Sequence, residues 1–440
     1  MTTLLYNAYV LTMDDDFTAY PTGWLLAKDG LIAAVGGGEY DGDAAIDERI
    51  DCRGGILLPG FVNTHCHASM VPFRTMGDDC ADRLRRFLFP LENEAMTPEL
   101  VYLGAKYGIA EMLLAGITTF VDMYYFEDEV ARACLETGMR GYLGETIIGQ
   151  TTCDSPDAPY GGFAIAEKML STYKGCDLVR PIVAPHGTTT CDEAALRRCH
   201  DLAVEHGTLM TLHVSEMDYE MKHFADMGTT PMRFMDAIGA ADEHLLAAHC
   251  IHLTDEDVAL MKARGVRAAH CIGSNTKAGK GVAPVRELAA AGVALGLGTD
   301  GPSSGNTLSI FDQMRLFAVC HKTKNRDRSL FPAREIVVFA TRGGAQALGA
   351  GEEYGRLKAG MRADAVLVST QGAHMFPLYN PYSALVYGAN ASDVELVMAG
   401  GVIRVRDHRL SGIDLGAVRA QLEQAMKPFR ASADKYADII

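Results

Sequence analysis

GFVNTHCHASM, residues 60–70, is the stretch that decides how this 440-residue chain is interpreted. It follows the apolar run 56–59 and places His65 and His67 two positions apart. Residues two apart in an extended strand point to the same face, so these two imidazoles can bind one cation. A His-x-His pair also arises by chance among 14 histidines, so the metal-site hypothesis depends on the rest of the sequence.

The motif stands near the beginning of a long region, from Leu57 to about Leu348, in which helical patterns that end in glycine alternate with short strand-like runs. In one such unit, the helical pattern 127–137 ends at Gly138 and leads to the run 139–144; a second helical pattern, 255–264, ends at Gly265. Repeated helix–strand units predict a parallel sheet, and a closed (β/α)8 TIM barrel is the architecture that fits this length. A doubly wound open sheet is the alternative.

The two chain ends show a different sequence pattern, which predicts strands. Short strands separated by turns fill the first part of the chain, and strand signals return after residue 353 before a final helix at 415–436. We therefore expect an α/β protein with a barrel at 58–353 and a small β-sandwich domain built from both ends. Residues 1–57 would supply the first part of the sandwich, and 354–440 the second part and the C-terminal helix.

Composition limits the function classes. A formal net charge of −16 argues against a nucleic-acid polymer as partner, because such binding depends on Lys and Arg contacts to phosphates. No apolar run approaches the ~20 residues of a membrane span, and the acidic start of the chain does not resemble a signal peptide. The 11 cysteines show no Cys-x-x-Cys pair, which favours free thiols. We expect a cytoplasmic protein with a small-molecule ligand and without a membrane partner, and both a monomer and a homo-oligomer stay open.

Metal-competent side chains recur where predicted strands end. In a barrel, functional groups lie at the carboxyl ends of the strands, so such residues should converge. Three imidazoles and one carboxylate suit zinc, with iron or manganese as alternatives, and a water bound to the ion would be the nucleophile. Glu216, three residues after His213, is a candidate proton shuttle. The residues at strand ends are His65, His67, His186, His213, His249 and Asp300.

One glycine pattern suggests a different class. Gly296-x-Gly298-x-x-Gly301 has the form of a dinucleotide-binding fingerprint, which would indicate an oxidoreductase. It lies late in the chain, contains Asp300 within the turn, and lacks the acidic residue expected about 20 positions later. We interpret these glycines as allowing the loop to approach the metal and the substrate closely.

The motifs taken together resemble a known family. Seven segments follow that family's motifs in order and with similar spacing: GFVNTHCHASM, GITTFVDMY, APHGTTTC, TLHVSE, AHCIHL, HCIGSNTKAGKGVAP and LGTDGPSSGNTLSIFDQMRL. On these segments the chain resembles the amidohydrolase superfamily. Within it the chain is most similar to the 5'-methylthioadenosine/S-adenosylhomocysteine deaminase branch, which is related to the triazine hydrolases.

The resemblance implies a hydrolytic deaminase with one divalent metal ion, acting on an amino-substituted aromatic N-heterocycle such as an adenosine-like nucleoside, an aminopurine or a pterin. It implies that Asp300 accepts a proton from the attacking water, that Glu216 protonates and contacts the substrate ring, and that His249 polarises the water. Glu92 and His186 would contact the substrate. The implied metal ligands are His65, His67, His213 and Asp300.

The chain departs from the family where the substrate is chosen. Where the nucleoside deaminases carry substrate-binding arginines, this sequence offers Glu145 and Phe163. An acid there would repel a carboxylate, which favours a neutral or cationic heterocycle over S-adenosylhomocysteine. Two alternatives stay open: a triazine-type chlorohydrolase or aminohydrolase with the same metal ligands, and a catalytically silent structural barrel protein.

Overall fold

The computed structural model describes residues 1–438, which form two compact units. The first unit contains residues 1–64, 110–119 and 309–413, and the second contains 65–109, 120–308 and the chain from 414 onward. The expected α/β content is confirmed, whereas the domain boundaries expected at 57/58 and 353/354 stay predictions.

The described residues contain eighteen strands. They are β1 (Thr2–Leu11), β2 (Ala19–Lys28), β3 (Leu31–Gly37), β4 (Glu48–Asp51), β5 (Ile56–Pro59), β6 (Phe61–Cys66), β7 (Ile117–Tyr124), β8 (Arg140–Ile147), β9 (Val179–Pro181), β10 (Ala184–Pro185), β11 (Met210–Val214), β12 (Leu245–His249), β13 (Arg267–His270), β14 (Leu295–Leu297), β15 (Ala365–Val368), β16 (Val394–Ala399), β17 (Val402–Arg406) and β18 (Arg409–Leu410).

Both chain ends build one nine-stranded sheet in the first unit. Its order is β18-β17-β16-β15-β5-β1-β2-β3, with β4 also paired to β1. The pairs of β1 with β4 and β5 are parallel, and the others are antiparallel. Apolar side chains from strands of both ends, including Leu5, Leu57, Leu367 and Leu396, form a common buried cluster, so burial of apolar surface joins the two ends of the chain.

The remaining strands are parallel and form two sheets. One has the order β10-β8-β7-β6 with β9 paired to β8, and the other has the order β11-β12-β13-β14. β6 and β7 each begin in the first unit and end in the second. Nearly all residues of these strands are buried, as expected of parallel strands covered on both faces.

The described residues contain fifteen α-helices, and the first ten lie between the strands of the two parallel sheets. They are α1 (Phe89–Ala95), α2 (Pro98–Leu114), α3 (Glu127–Thr137), α4 (Gly162–Thr172), α5 (Glu193–His206), α6 (Asp218–Asp226), α7 (Pro231–Ala237), α8 (Asp255–Arg264), α9 (Ile272–Lys277), α10 (Val285–Ala291), α11 (Ile310–Asn325), α12 (Ala333–Ala340), α13 (Arg342–Ala347), α14 (Pro381–Ser383) and α15 (Leu415–Ala433).

Local chemistry explains where these helices begin and end. The α8 helix begins after Thr254, whose hydroxyl accepts the backbone N–H of Asp257, and it ends at Gly265 with a φ of +75°. The α5 helix is capped by Asp192 and ends at Gly207 with a φ of +60°. Polar N-caps and left-handed glycine C-caps therefore return the chain to the next parallel strand, so the carboxyl ends of the strands face the same edge.

The last helix differs from expectation. We expected the C-terminal tail to accompany the strands of the N-terminal module, but α15 lies in the second unit. The Phe429 ring packs edge-on against Phe73 with centroids 4.8 Å apart, and Lys435 pairs with Glu94 of α1. Aromatic burial on this side of α15 accounts for the placement. Among residues 1–438, no helix is both long and apolar enough to span a bilayer.

Candidate metal centre and substrate cavity

Three histidines from two strands meet in the second unit. His65 and His67 lie at the end of β6, and their ring centroids are 4.9 Å apart. His213 is in β11, and its ring centroid is 5.1 Å from that of His65 and 5.6 Å from that of His67. One ligand atom from each of the three lies within 4.8 Å of the others, which defines a His/His/His metal-binding group.

The hydrogen bonds of these rings leave nitrogen lone pairs available for an ion. His67 Nδ1 donates to the Met123 carbonyl oxygen at 2.6 Å, and His213 Nδ1 donates to the His186 carbonyl oxygen at 2.7 Å, so each Nε2 is unprotonated in the neutral ring. Within the described chain, neither ring nitrogen of His65 has a hydrogen-bond partner, although both are buried. A buried polar atom without a hydrogen-bond partner destabilises the folded protein, and a bound metal ion would give a His65 nitrogen the partner that it lacks.

The protonation states suit coordination. Burial, followed by the charge of the neighbouring His67 ring, lowers the pKa of His65 well below its usual value. Burial likewise lowers the pKa of His213, with His186 as the next contributor. Neutral imidazoles are the form in which histidine binds zinc, so the group is prepared for a cation near neutral pH.

Asp300 completes the group from the loop after β14. Its Oδ1 lies 3.3 Å from His67 Nε2 and accepts the Gly301 backbone N–H at 2.6 Å. The residue has a φ of +58°, a left-handed conformation that a non-glycine residue adopts only when its surroundings fix it. The histidine rings around Asp300 outweigh the effect of burial and hold the pKa of its carboxyl well below the usual range.

The glycines next to Asp300 lie directly against the histidines. A Cβ on Gly298 would lie 2.9 Å from the Cβ of His65, and a Cβ on Gly301 would lie 3.0 Å from that of His67. Side chains at these positions would displace the two rings. This close approach agrees with our interpretation of the glycine pattern, and the space a dinucleotide would need there is filled by histidines.

Glu216 lies opposite the histidines. Its Oε1 is 2.5 Å from Lys280 Nζ and 3.7 Å from His249 Nε2. Burial alone would raise the pKa of Glu216, but the charges of His249 and Lys280 hold it well below the usual value, so the carboxylate is ionised. His249 Nδ1 is 2.8 Å from Asn275 Oδ1 and donates to it, since an amide oxygen only accepts. His249 Nε2 therefore faces Glu216.

The backbone that carries Glu216 is fixed by a second acid, Glu220 in α6. Glu220 Oε2 accepts the backbone N–H of Glu216 at 2.8 Å, and Oε1 accepts that of Ser215 at 2.9 Å. Thr188 Oγ1 donates to the same Oε1 at 2.6 Å. Ser215 has a φ of +52°, so these bonds hold the turn after β11 in a left-handed conformation.

These groups line a cavity of about 780 Å³ in the second unit. Its wall includes His67, His213, Glu216, His249 and Asp300, together with Glu92 and His186, the two residues expected to contact substrate. His65 lies beneath the wall and is fully buried. The structure therefore brings all the expected site residues to one place.

Glu92 and His186 both have environments that favour their neutral forms. Glu92 in α1 is 4% exposed, and its Oε1 accepts the Tyr124 hydroxyl at 2.9 Å. Burial raises the pKa of Glu92 to about 8. Burial lowers the pKa of His186 to about 4, and His186 Nδ1 lies 2.9 Å from the Thr190 hydroxyl. The cavity thus offers two hydrogen-bonding groups that favour their neutral forms.

The expectation for Glu145 and Phe163 was wrong. Glu145 is fully buried and accepts the backbone N–H of Glu127 at 2.9 Å, and Phe163 packs under the guanidinium of Arg198 at 3.9 Å. Neither is among the described residues that line the cavity, whereas Thr146, the neighbour of Glu145 in β8, does line it. Successive strand residues point to opposite faces, so Glu145 points away from the cavity that Thr146 lines. Repulsion by Glu145 is therefore no argument against S-adenosylhomocysteine.

Several residues in and around the cavity were not predicted from the sequence. Lys280 lines the cavity beside Glu216, whereas Glu220 is buried in α6 and binds the Glu216 backbone. The Arg85 guanidinium lies 4.1 Å from the centre of the Tyr219 ring at the cavity wall. The one sequence signal for Lys280 is its position between Gly279 and Gly281, which indicates a tight loop within the HCIGSNTKAGKGVAP segment.

Comparisons with known proteins agree with this geometry. Residues 56–404 match the amidohydrolase family, and the chain belongs to that family. A 5-methylthioadenosine/S-adenosylhomocysteine deaminase of Syntrophobacter fumaroxidans is 37% identical over 423 residues, covering 94% of this chain and 95% of the relative. The crystal structure of an adenosine deaminase from Xanthomonas campestris with bound zinc is 30% identical, covers 98% of both chains and superposes with a TM-score of 0.93.

A third comparison shows the fold alone. The atrazine chlorohydrolase of Arthrobacter aurescens TC1, crystallised with zinc, is 24% identical and superposes with a TM-score of 0.90 over 96% of this chain and all of its own. The resemblance to the deaminase branch is confirmed by the Syntrophobacter relative, and the chlorohydrolase is a structural neighbour.

Proposed function

We propose that this protein is a metal-dependent hydrolytic deaminase that releases ammonia from an adenosine-like nucleoside. The observation that carries the proposal is the position of an ionised carboxylate, Glu216, across one cavity from a His/His/His metal-binding group. The names of the Syntrophobacter and Xanthomonas relatives support the reaction and the adenosine-like substrate.

In this proposal His65, His67, His213 and Asp300 hold one divalent ion. Zinc is the ion of choice because nitrogen and carboxylate donors suit it and because the Xanthomonas structure contains it. An ion there would lower the pKa of a coordinated water toward neutrality, which supplies the nucleophile.

The chain's own residues handle the protons. Asp300 and His249 Nε2 orient the attacking water and accept its proton. Glu216 lies 3.7 Å from that nitrogen and passes a proton to the ring nitrogen of the substrate. Water adds to the amine-bearing carbon, the C–N bond breaks, and the amine leaves as ammonia after it receives the second proton. A heterocycle with an oxo group remains.

Glu92 and His186 would bind the rest of the substrate. Glu92 is mostly protonated at pH 7, so its carboxyl group both donates and accepts hydrogen bonds. Paired sugar hydroxyls make the same two kinds of bond. A cavity of about 780 Å³ also has room for a nucleoside with a substituent.

We further propose that the parallel strands close into a (β/α)8 barrel. Between the two parallel sheets, Val183 of the β9–β10 segment pairs with Met210, and the backbone N–H of His213 donates to the His186 carbonyl oxygen at 3.2 Å. At the opposite edges, the backbone N–H of Asp300 donates to the His65 carbonyl oxygen at 3.1 Å. These bonds support a closed ring of strands.

The nine-stranded sheet would correspondingly fold over as a small β-sandwich. Ile32 of β3 and Met398 of β16, which are far apart in the strand order, belong to one buried cluster. The turns that follow β2 and β16 also touch, since a Cβ on Gly401 would lie 2.7 Å from the Cα of Gly30.

For the setting of the protein we propose a reducing compartment such as the cytoplasm, because all eleven cysteines are unpaired. The expectation of a small-molecule heterocyclic substrate agrees with the deaminase relatives, whereas the expectations of no nucleic-acid partner and of a homo-oligomer stay predictions.

The test is a measurement of metal content followed by an ammonia-release assay. The substrate panel contains adenosine, 5'-methylthioadenosine, S-adenosylhomocysteine, guanine, a pterin and atrazine. We expect about one metal ion per chain and release from the adenosine derivatives that stops on chelation and returns with zinc. Chloride release from atrazine without ammonia from any nucleoside would favour the triazine-type alternative. A protein that binds no metal would favour the silent barrel.

A further inference from the structure

We propose that Lys280 is a positioning residue that holds the Glu216 carboxylate in the orientation from which it serves the reaction. This inference rests on the proposed function, because it assigns Glu216 the proton transfer. Lys280 Nζ lies 2.5 Å from Glu216 Oε1, and both side chains are mostly buried in the cavity wall.

The backbone around Lys280 is shaped to direct its side chain inward. Lys280 lies between Gly279 with a φ of +66° and Gly281 with a φ of +125°, conformations that other residues rarely adopt. A Cβ on Gly281 would lie 3.0 Å from Ile251 Cγ2, so this loop is also tightly packed. The backbone N–H of Lys280 donates to the Asn275 carbonyl oxygen at 2.9 Å.

Asn275 connects this loop to the other proton-handling group. Its side-chain oxygen accepts from His249 Nδ1 at 2.8 Å, while its backbone carbonyl oxygen fixes Lys280. Asn275 therefore fixes both the orientation of the His249 ring and the backbone from which the Lys280 side chain extends. Because Lys280 and His249 both lie next to Glu216, the carboxylate is restrained from two sides.

Glu216 needs such a restraint because a glutamate side chain can rotate about several torsions. Glu216 follows the end of β11, and its backbone alone does not fix its side-chain torsions. The ammonium on Oε1 restricts the carboxylate to a single orientation, which matters because a displacement of about 1 Å at a reacting group can cost about 100-fold in rate.

The experiment compares Lys280→Met and Lys280→Arg with wild type in the assay with 5'-methylthioadenosine. Lys280→Met keeps the length of the side chain without its charge, and we expect kcat to fall by about 10- to 100-fold while KM and metal content stay near wild type. Lys280→Arg keeps a cation and should recover part of kcat. Lys262→Met is the matched control, because Lys262 in α8 is not among the residues that line the cavity and donates to the Gly292 carbonyl oxygen at 3.1 Å.

Two kinetic results would overturn the proposal. A raised KM with unchanged kcat would make Lys280 a substrate contact, and loss of metal or of folding in proportion to activity would make it structural. A double-mutant cycle of Lys280→Met and Glu216→Gln, read from thermal unfolding of the metal-loaded protein, tests the pair without any turnover. If wild type deaminates no nucleoside, the proposed function fails. In that case the unfolding data still test the contact between Lys280 and Glu216. If the two substitutions changed stability additively, the two side chains would not interact, and the positioning role of Lys280 would be overturned as well.

Discussion

Two glutamates in the wall of one cavity are held in opposite protonation states. Glu216 is 15% exposed and has a lysine and a histidine beside it, so it is a carboxylate. Glu92 is 4% exposed and accepts a neutral hydroxyl from Tyr124, so burial dominates and its carboxyl group keeps a proton near neutral pH. The difference shows that nearby cations, and not burial alone, decide which acid can accept a proton.

The comparison also separates two tasks. An ionised acid close to the metal-binding group can carry a proton during the reaction, whereas a neutral acid can bind polar substrate groups without adding a charge. Substitutions that affect Glu216 test the first task, and a substitution of Glu92 tests the second.

The largest effect is expected from Glu216→Gln. The amide keeps the shape of the side chain but cannot carry a proton, so kcat should fall by about 100- to 10,000-fold. Metal content should stay at the wild-type level, because Glu216 is not in the His/His/His group. Ammonia release and metal analysis measure the two quantities.

Asp218→Asn is the control for that loop. The Asp218 side chain is fully exposed two residues further on, so its loss should leave kcat unchanged. Near-normal turnover in Glu216→Gln would remove Glu216 from the mechanism and would make its ionised state a structural feature.

The meeting of the candidate metal ligands in one cavity was predicted from the sequence because it follows from strand geometry. His65, His67, His213 and Asp300 stand at or just after strand ends, and parallel strands bring such ends to one edge. The bounds of α3 and α8 were also predicted, since glycine at 138 and 265 ends each helix. Short-range sequence signals were therefore sufficient to predict the alternation of helices and strands and the candidate residues at the strand ends.

The remaining site residues depend on loops, whose shape no local signal fixes. The contact between Lys280 and Glu216 joins positions 64 residues apart, and it exists only in the folded loop. The buried position of Glu145 was not predicted, because the sequence of β8 alone does not say which of two successive residues faces the cavity. The position of α15 likewise depends on aromatic packing with distant residues.

The next effect concerns Glu92 and is a pH dependence of stability. Its pKa is raised from 4.5 to about 8, so between these values the folded protein retains a proton that the unfolded chain has released. Stability therefore falls as pH rises through this window. Glu92→Gln removes the titration and should be increasingly more stable than wild type toward pH 8, by about 2 to 4 kcal/mol.

Chemical denaturation at pH 5, 6.5 and 8 measures this difference. Glu94→Gln, in the same helix, is the control, because the pairing of Glu94 with Lys435 lowers its pKa and it does not titrate in this range. If the unfolding free energies of wild type and Glu92→Gln kept a constant difference from pH 5 to 8, Glu92 would be ionised throughout, and the contrast with Glu216 would disappear.

The smallest effect is expected from Glu220→Gln, which acts on Glu216 through the backbone. Glu220 accepts four hydrogen bonds, from the backbone of Ser215, Glu216 and Met217 and from the Thr188 hydroxyl, and a glutamine presents an NH2 group to at least one of these donors. Loss of a buried bond costs about 1 to 3 kcal/mol, and the strained turn at Ser215 would relax. We expect kcat to fall about 10-fold with little change in KM, because the carboxylate of Glu216 shifts while the rest of the cavity stays in place.

Steady-state kinetics with Asp226→Asn as the control tests this expectation, since Asp226 belongs to the same helix and is 69% exposed. A rise in KM at constant kcat would mean that Glu220 shapes the substrate pocket instead of the proton carrier. A wild-type kcat would show that Lys280 and His249 hold Glu216 sufficiently without its backbone anchor. The ionised state of Glu216 would then depend on its side-chain partners alone, as the neutral state of Glu92 depends on burial.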